Sequence, residues 1–261
     1  MKKYNLYSLI VFVLALTSSC EKVIDIKVND EVGKLVIEGI INQTDTVQKI
    51  ILSRNVSFTG SNTYPGVSGA TVTVRDSDNK TYVFRETTTG TYIANPFIGE
   101  PGKTYSMEVQ VDNETYRAQA QLPQLVPLDS ISAEKPKIGD KDTRNIKIYF
   151  KDPQDQQNQY RFVLYVNNKQ TKDIYALDDN FTNGNEVSLT LRPDDLDIFP
   201  GDNVRVEMFC IDRALYTYWY SLMQQSGGGG ITPSNPPTNI SPSVLGYFSA
   251  HSQSSKSITI E

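Results

Sequence analysis

Ala70-Thr71-Val72-Thr73-Val74-Arg75, then Asp76-Ser77-Asp78-Asn79-Lys80, then Thr81-Tyr82-Val83-Phe84-Arg85: apolar and polar residues alternate on both sides of five turn formers. Successive strand side chains point to opposite faces, so a period of two over β-branched residues specifies half-buried strands. The Asp/Ser/Asn centre specifies the hairpin between them. The same pattern spreads outward. Leu35, Ile37, Ile40, Ile41, Val47, Ile50 and Leu52 precede it at strand spacing. Thr91 to Ala94, Thr104 to Val111 after Gly99-Glu100-Pro101-Gly102, and Thr115 to Ala118 after Asp112-Asn113 follow it. Strands separated by turn signals every eight to twelve residues or so predict a first β-sandwich over residues 32–124.

That first unit resembles, at the level of fold, the prealbumin-type or regulatory-domain-like sandwiches of bacterial cell surfaces. Pro123, Pro127 and Pro136, with Leu122, Leu125 and Val126 among them, read as a stiff, partly packed connector. A second β unit is expected over 125–261, of fibronectin type. Its strands are Asn145 to Phe150, Tyr160 to Val166, Glu186 to Leu191 and Asn203 to Cys210. One helix interrupts it, at about 213–225. Asp212 is its N-cap, Ala214, Leu215, Tyr218, Trp219, Leu222 and Met223 recur every three or four residues, and Gly227 ends it. An amphipathic helix packing its aromatic face is the plain reading, and a ligand platform of Tyr216, Trp219 and Tyr220 is the competing one. The Gly/Pro-rich stretch 227–239 reads as a mobile surface loop. Val244 to Ala250 and Ser257 to Ile260 then supply two terminal strands. The fold class is mainly β, with two tandem sandwiches and one helix in the C-terminal half.

Composition excludes most catalytic chemistry. The 261 residues carry a net charge of −5 with no basic stripe, which argues against nucleic acid. One histidine, His251, and two cysteines, Cys20 and Cys210, leave neither a His-rich zinc site nor a disulfide framework, and a Ser-His-Asp triad is close to unavailable. No phosphate loop is present, because Gly227 to Gly230 lacks the Lys-Ser/Thr that must follow. The acids of Asp178 to Glu186 do not follow the spacing of a calcium loop. Arg192 to Leu196 reads as a short helical turn with Asp194 and Asp195 near its start. Cys210, between Phe209 and Ile211, reads as an inert buried thiol. No metal, cofactor or catalytic residue is expected, and the chain is not expected to be an enzyme.

The N-terminus gives an address. Lys2 and Lys3 precede the apolar run Tyr7 to Leu16, which is shorter than the about 20 residues of a membrane-spanning helix. Leu16-Thr17-Ser18-Ser19-Cys20 resembles a relaxed bacterial lipobox. The resemblance implies a signal peptide over 1–19, cleavage between Ser19 and Cys20, acylation of Cys20 with palmitate-type chains, and a lipidated tether over 20–31. Several acyl chains suffice for stable anchoring. Glu21 in place of Asp implies the outer membrane, with periplasmic and surface leaflets both open.

Three further segments carry a family likeness: Cys20 to Ile26, Leu35-Val36-Ile37-Glu38-Gly39, and Pro233 to Ile240 followed by Leu245-Gly246-Tyr247-Phe248-Ser249-Ala250. The chain resembles a Bacteroidota outer-membrane lipoprotein family catalogued as a domain of unknown function, whose genes often neighbour a TonB-dependent receptor. The likeness implies a lipid-anchored, non-enzymatic accessory that helps such a transporter capture or admit a small ligand. The partner-contact residues it suggests are Asn235, Pro236, Pro237, Asn239, Tyr247 and Phe248. A surface adhesin or envelope structural protein is the alternative, and a glycan- or peptide-acting hydrolase a minor one.

Overall fold

A computed structural model of the protein describes residues 32–57, 63–136, 142–154, 156–180, 182–226 and 234–261. The hairpin is formed by β3 (Thr71–Asp76) and β4 (Thr81–Thr88), with Val72 opposite Phe84 and Val74 opposite Tyr82. Its turn is held by the Asp76 carboxylate, which accepts the N–H groups of Asp78 and Lys80 at 3.0 and 2.9 Å. Around it stand β1 (Leu35–Asn42), β2 (Gln48–Arg54), β5 (Thr91–Ala94), β6 (Thr104–Val111) and β7 (Glu114–Gln121). The order is β1-β2-β5-β4-β3-β6-β7. Strand β4 serves twice: Thr81 to Phe84 pair with β3, and Arg85 to Thr88 pair with β5. The ladder thereby folds over one core, in which Ile37, Ile50, Leu52, Val74 and Tyr105 are fully buried. Each such side chain contributes about 1.5–3 kcal/mol. Phe97, just after β5, closes that core by stacking on Tyr82 with ring centroids 3.6 Å apart.

The second half repeats the two-layer plan with shorter strands at its edge. One layer is β8 (Ser130–Glu134), β9 (Asn145–Lys151) and β13 (Glu186–Leu191), in the order β13-β9-β8. The other is built on β10 (Gln159–Val166) and β14 (Asn203–Ile211), with the short strands β11 (Lys169–Gln170) and β12 (Tyr175–Asp178) both paired to β10. Ile146, Ile148 and Phe150 from the first layer meet Tyr160, Phe162, Leu164, Val206 and Met208 from the second. Helix α1 (Arg213–Ser226) follows β14, capped by the Asp212 carboxylate, which accepts the Leu215 N–H at 2.9 Å. Short β15 (Ile240–Ser241) pairs with β7, and β16 (Leu245–Thr259) ends the fold. The molecule is mainly β with one helix among the described residues.

Strand β16 corrects the expected division at residue 125. Leu245 to His251 pair in parallel with β1, and Ser252 to Thr259 pair antiparallel with β14. Its Phe248 and Ala250 lie in the first core, as does Ile240 of β15, whereas Ile258 and Ile260 pack on the second. The C-terminal segment therefore belongs to both halves, and residues 32–261 cluster as one compact unit. The two expected terminal strands are one strand. The polar run Ser252 to Lys256 resembles a turn in sequence but stays extended, because its hydroxyls serve the connector. Ser252 Oγ donates to the Gln124 carbonyl at 3.3 Å, and Ser254 Oγ accepts the Leu128 N–H at 2.8 Å. Cys210 Sγ accepts the Val126 N–H beside them, and burial pushes its thiol pKa up. Gly246 makes the parallel pairing reachable: its φ is +94°, and a Cβ there would overlap the Ile37 carbonyl oxygen.

Candidate functional site

The residues expected to meet a partner are divided by the fold. Asn235, Pro236 and Pro237 line an open groove of about 500 Å3 together with Lys34, Arg54, Tyr116 and Val244. Arg54 is held there by its pairing with Asp112 and by donating to the Gly33 carbonyl at 2.9 Å. The end of the Gly/Pro-rich stretch, Thr238 and Asn239, is tied to β16. Residues 227–233 fall outside the described ones. Thr238 Oγ1 donates to the Gly246 carbonyl at 2.9 Å. Asn239 uses both ends of its amide on the Phe248 backbone: Nδ2 donates to the carbonyl at 2.7 Å and Oδ1 accepts the N–H at 3.0 Å. This side chain imitates a strand neighbour, so Asn239 positions the loop while remaining half-buried at the surface. Phe248 is a correction of another kind. Alternation along β16 turns its ring inward, where it is fully buried in the first core.

Tyr247 points the other way, into a cluster under α1 at the seam between the halves. Its ring centroid lies 5.0 Å from that of Tyr218 and 5.3 Å from that of Trp219. Arg161 of β10, directly opposite Phe209 of β14, lays its guanidinium over Trp219 at 3.5 Å. His251, the last β16 residue paired with β1, completes the row, edge-on to Phe209 at 5.0 Å and with Nδ1 2.9 Å from Ser249 Oγ. Burial pushes the imidazole pKa down to about 4, with the Arg161 charge acting in the same direction, so the ring is neutral at pH 7. A recess lined by Arg161, Trp219, Tyr247, Ser249 and His251 remains, with a volume of about 20 Å3.

The supposed platform on α1 therefore does not exist as one surface. Trp219 faces the sheet, while Tyr216 and Tyr220 stack on each other at 5.3 Å on another side, beside Arg213. The acids find different partners. Asp178 pairs with Arg213, the buried Asp179 accepts the Asn158 N–H, and Asp194 donates its N–H to Asp173. Residues 192–196 bend without forming a helical turn, which corrects that expectation; Pro193 and the Asp173 contact take the place of helical hydrogen bonds. Among the described residues no three metal-ligating side chains converge, and no helix is long and apolar enough to cross a membrane. Ser19 and Cys20 lie outside the described residues. The sequence reading missed Lys34, Arg54, Tyr116 and Arg161. Each is brought to its place by pairing between distant strands, which a local pattern does not carry.

The model of the DUF4249 family, described as a domain of unknown function, matches residues 21–257. No curated protein matches. Among solved structures, a two-domain fibronectin type III segment of chicken tenascin is similar at 12% identity and a TM-score of 0.24, over 69% of this chain and 91% of that one. A DUF4785 family protein from Legionella pneumophila is similar at 9% identity and 0.26, over 67% and 52%. An α-L-rhamnosidase from Aspergillus terreus is similar at 10% identity and 0.30, over 69% and 27%.

Proposed function

The chain belongs to the DUF4249 family, and on that premise we propose that it is an outer-membrane lipoprotein, anchored through Cys20, that serves without catalysis as an accessory of a TonB-dependent transporter in capturing or admitting a ligand. The groove at Pro236-Pro237 carries this reading. Its floor includes Lys34, and at most about 3.5 Å per residue over the 14 residues from Cys20 to Lys34 keeps it within about 50 Å of the lipid. Two prolines, a tyrosine and two cationic side chains on a pre-shaped ledge suit a protein partner, because little ordering entropy is left to lose on contact. The anchor itself rests on the lipobox-like residues Leu16 to Cys20.

The test is crosslinking mass spectrometry on intact outer membranes carrying the tagged full-length protein. Crosslinks from Lys34 to a TonB-dependent barrel are expected, and replacing Asn235-Pro236-Pro237 with Gly-Ser-Gly should weaken them at least tenfold. The melting temperature should stay within about 2 °C, since the pinning residues Thr238 and Asn239 are retained. An acylated, abundant protein without such crosslinks, whose deletion alters surface attachment and leaves uptake normal, would instead mark an adhesin.

A further inference from the structure

Four arginines among the described residues are half-buried: Arg54, Arg144, Arg161 and Arg205. Three of them meet a carboxylate, in Asp112, Asp142 and Glu207 respectively. Arg161 meets none. Its described contacts are aromatic, with Trp219 at 3.5 Å and Phe209 at 5.9 Å. Stacking satisfies the face of a guanidinium but leaves its in-plane N–H groups without acceptors. A partly desolvated cation in that state requires a counter-charge or water.

The recess beside it has room for one such particle. A volume of about 20 Å3 holds one water-sized particle, since roughly 10–15 Å3 admits a single probe sphere. Across it stands the neutral imidazole of His251. If Nδ1 accepts from Ser249 Oγ, the ring presents Nε2–H as a second donor. Ile40, Phe209 and Ile211 supply apolar walls, which strengthen any charge interaction inside. Two donors, one permanent cation and no acidic side chain in the lining describe a seat for a negative particle.

We propose that this recess is an anion site, taking a single chloride-sized anion, or one oxygen of a carboxylate, between the Arg161 guanidinium and His251. The seat lies where β16 passes from β1 to β14, between His251 and Ser252, and beneath α1. An occupant would therefore tie the helix to both halves of the molecule. The same chemistry can be met by a free halide or by the carboxylate of a larger ligand.

Trp219 is the only tryptophan in the chain, so its emission reports on this seat directly. The full chain is titrated with sodium chloride against sodium gluconate at constant ionic strength, following emission and melting temperature. A saturable change in both is expected, with the melting temperature rising as the site fills. Arg161→Gln should weaken the apparent affinity about ten- to a hundredfold, as loss of a charge-assisted contact implies. Formate competing with chloride would point to a carboxylate-bearing ligand, and chloride binding untouched by formate to a free halide. A linear or absent chloride response in the wild type overturns the proposal, as does an unchanged response in a folded Arg161→Gln protein. Should that variant fail to fold, bromide-soaked wild-type crystals decide: an anomalous peak between Arg161 and His251 supports the site, and its absence removes it.

Discussion

The two cores obey the same alternation but differ in the polar groups they enclose. In the first, the deepest tyrosine hydroxyls, those of Tyr92 and Tyr105, have backbone partners, and that of Tyr82 donates to Asp76 at 3.3 Å. Tyr92 donates to the Val67 carbonyl at 2.9 Å and accepts the Ala70 N–H at 3.0 Å, and Tyr105 accepts the Glu100 N–H at 2.8 Å. Its one buried carboxylate, Asp76, is answered. Burial opposes its ionisation, but the Lys80 N–H and the Lys103 ammonium outweigh that and hold its pKa below the usual carboxylate range. In the second core Asp152 is fully buried, accepts from the Tyr160 hydroxyl through Oδ1, and leaves Oδ2 without a partner. Burial pushes its pKa up, and the nearby Asp179 charge pushes it further. The first half is electrostatically settled; the second retains a cost. The seam between them holds the second such pair of groups, Arg161 and His251.

The largest expected effect breaks the join between the halves. Gly246→Ala places a Cβ at positive φ against the Ile37 carbonyl oxygen, which can be relieved only by parting β1 from β16. A loss of about 4 kcal/mol in urea unfolding is expected. A loss under 1 kcal/mol would mean that the first core does not depend on its C-terminal strand. The next effect belongs to the seam. His251 has a folded pKa of about 4 against an unfolded value near 6.5, so below pH 6.5 the unfolded chain takes up a proton that the native ring refuses. Stability is therefore lost as pH falls through that window, by about 3 kcal/mol between pH 7 and 4. His251→Gln should abolish this component, and equal acid dependence in both proteins would show the ring to be solvated.

Much of the first core was legible because its determinants are local. The alternation of Thr71 to Arg75 and the Asp76-centred turn are complete within fifteen residues, and tertiary packing only enforces what they already prefer. The helix start at Asp212 was legible for the same reason. What could not be read depended on distant partners. Ser252 to Lys256 has turn composition, yet its hydroxyls answer a connector more than 120 residues away. Tyr247 and Phe248 cannot share one contact surface, because neighbours on a strand face opposite ways, and that much is legible in the alternation itself. Arg161 shows a true limit. Nothing near it in sequence indicates that Trp219, fifty-eight residues later, will cover it.

The smallest effect sharpens the contrast between the cores most directly, because it reverses the usual sign. Asp152→Asn keeps an acceptor for the Tyr160 hydroxyl and removes the charge. Asp152 has a raised folded pKa, so as a carboxylic acid it is tolerated below the unfolded value near 3.9, and its contribution is lost as pH rises through the folded pKa. The asparagine does not titrate. Its advantage over the wild type should therefore be near zero at pH 3.5, grow as pH rises through the raised folded pKa, and level off above it at about 1–2 kcal/mol. Chemical denaturation of both proteins across that range measures it. A variant less stable at every pH would mean that the ionised carboxylate is the acceptor Tyr160 requires, and that the second core is as settled as the first. The corresponding change in the first core, Asp76→Asn, should destabilise at pH 7, since there the charge is answered by Lys103 at 3.4 Å and by two backbone N–H groups. Opposite signs for one chemical substitution would establish that the two halves, alike in alternation, differ in electrostatics.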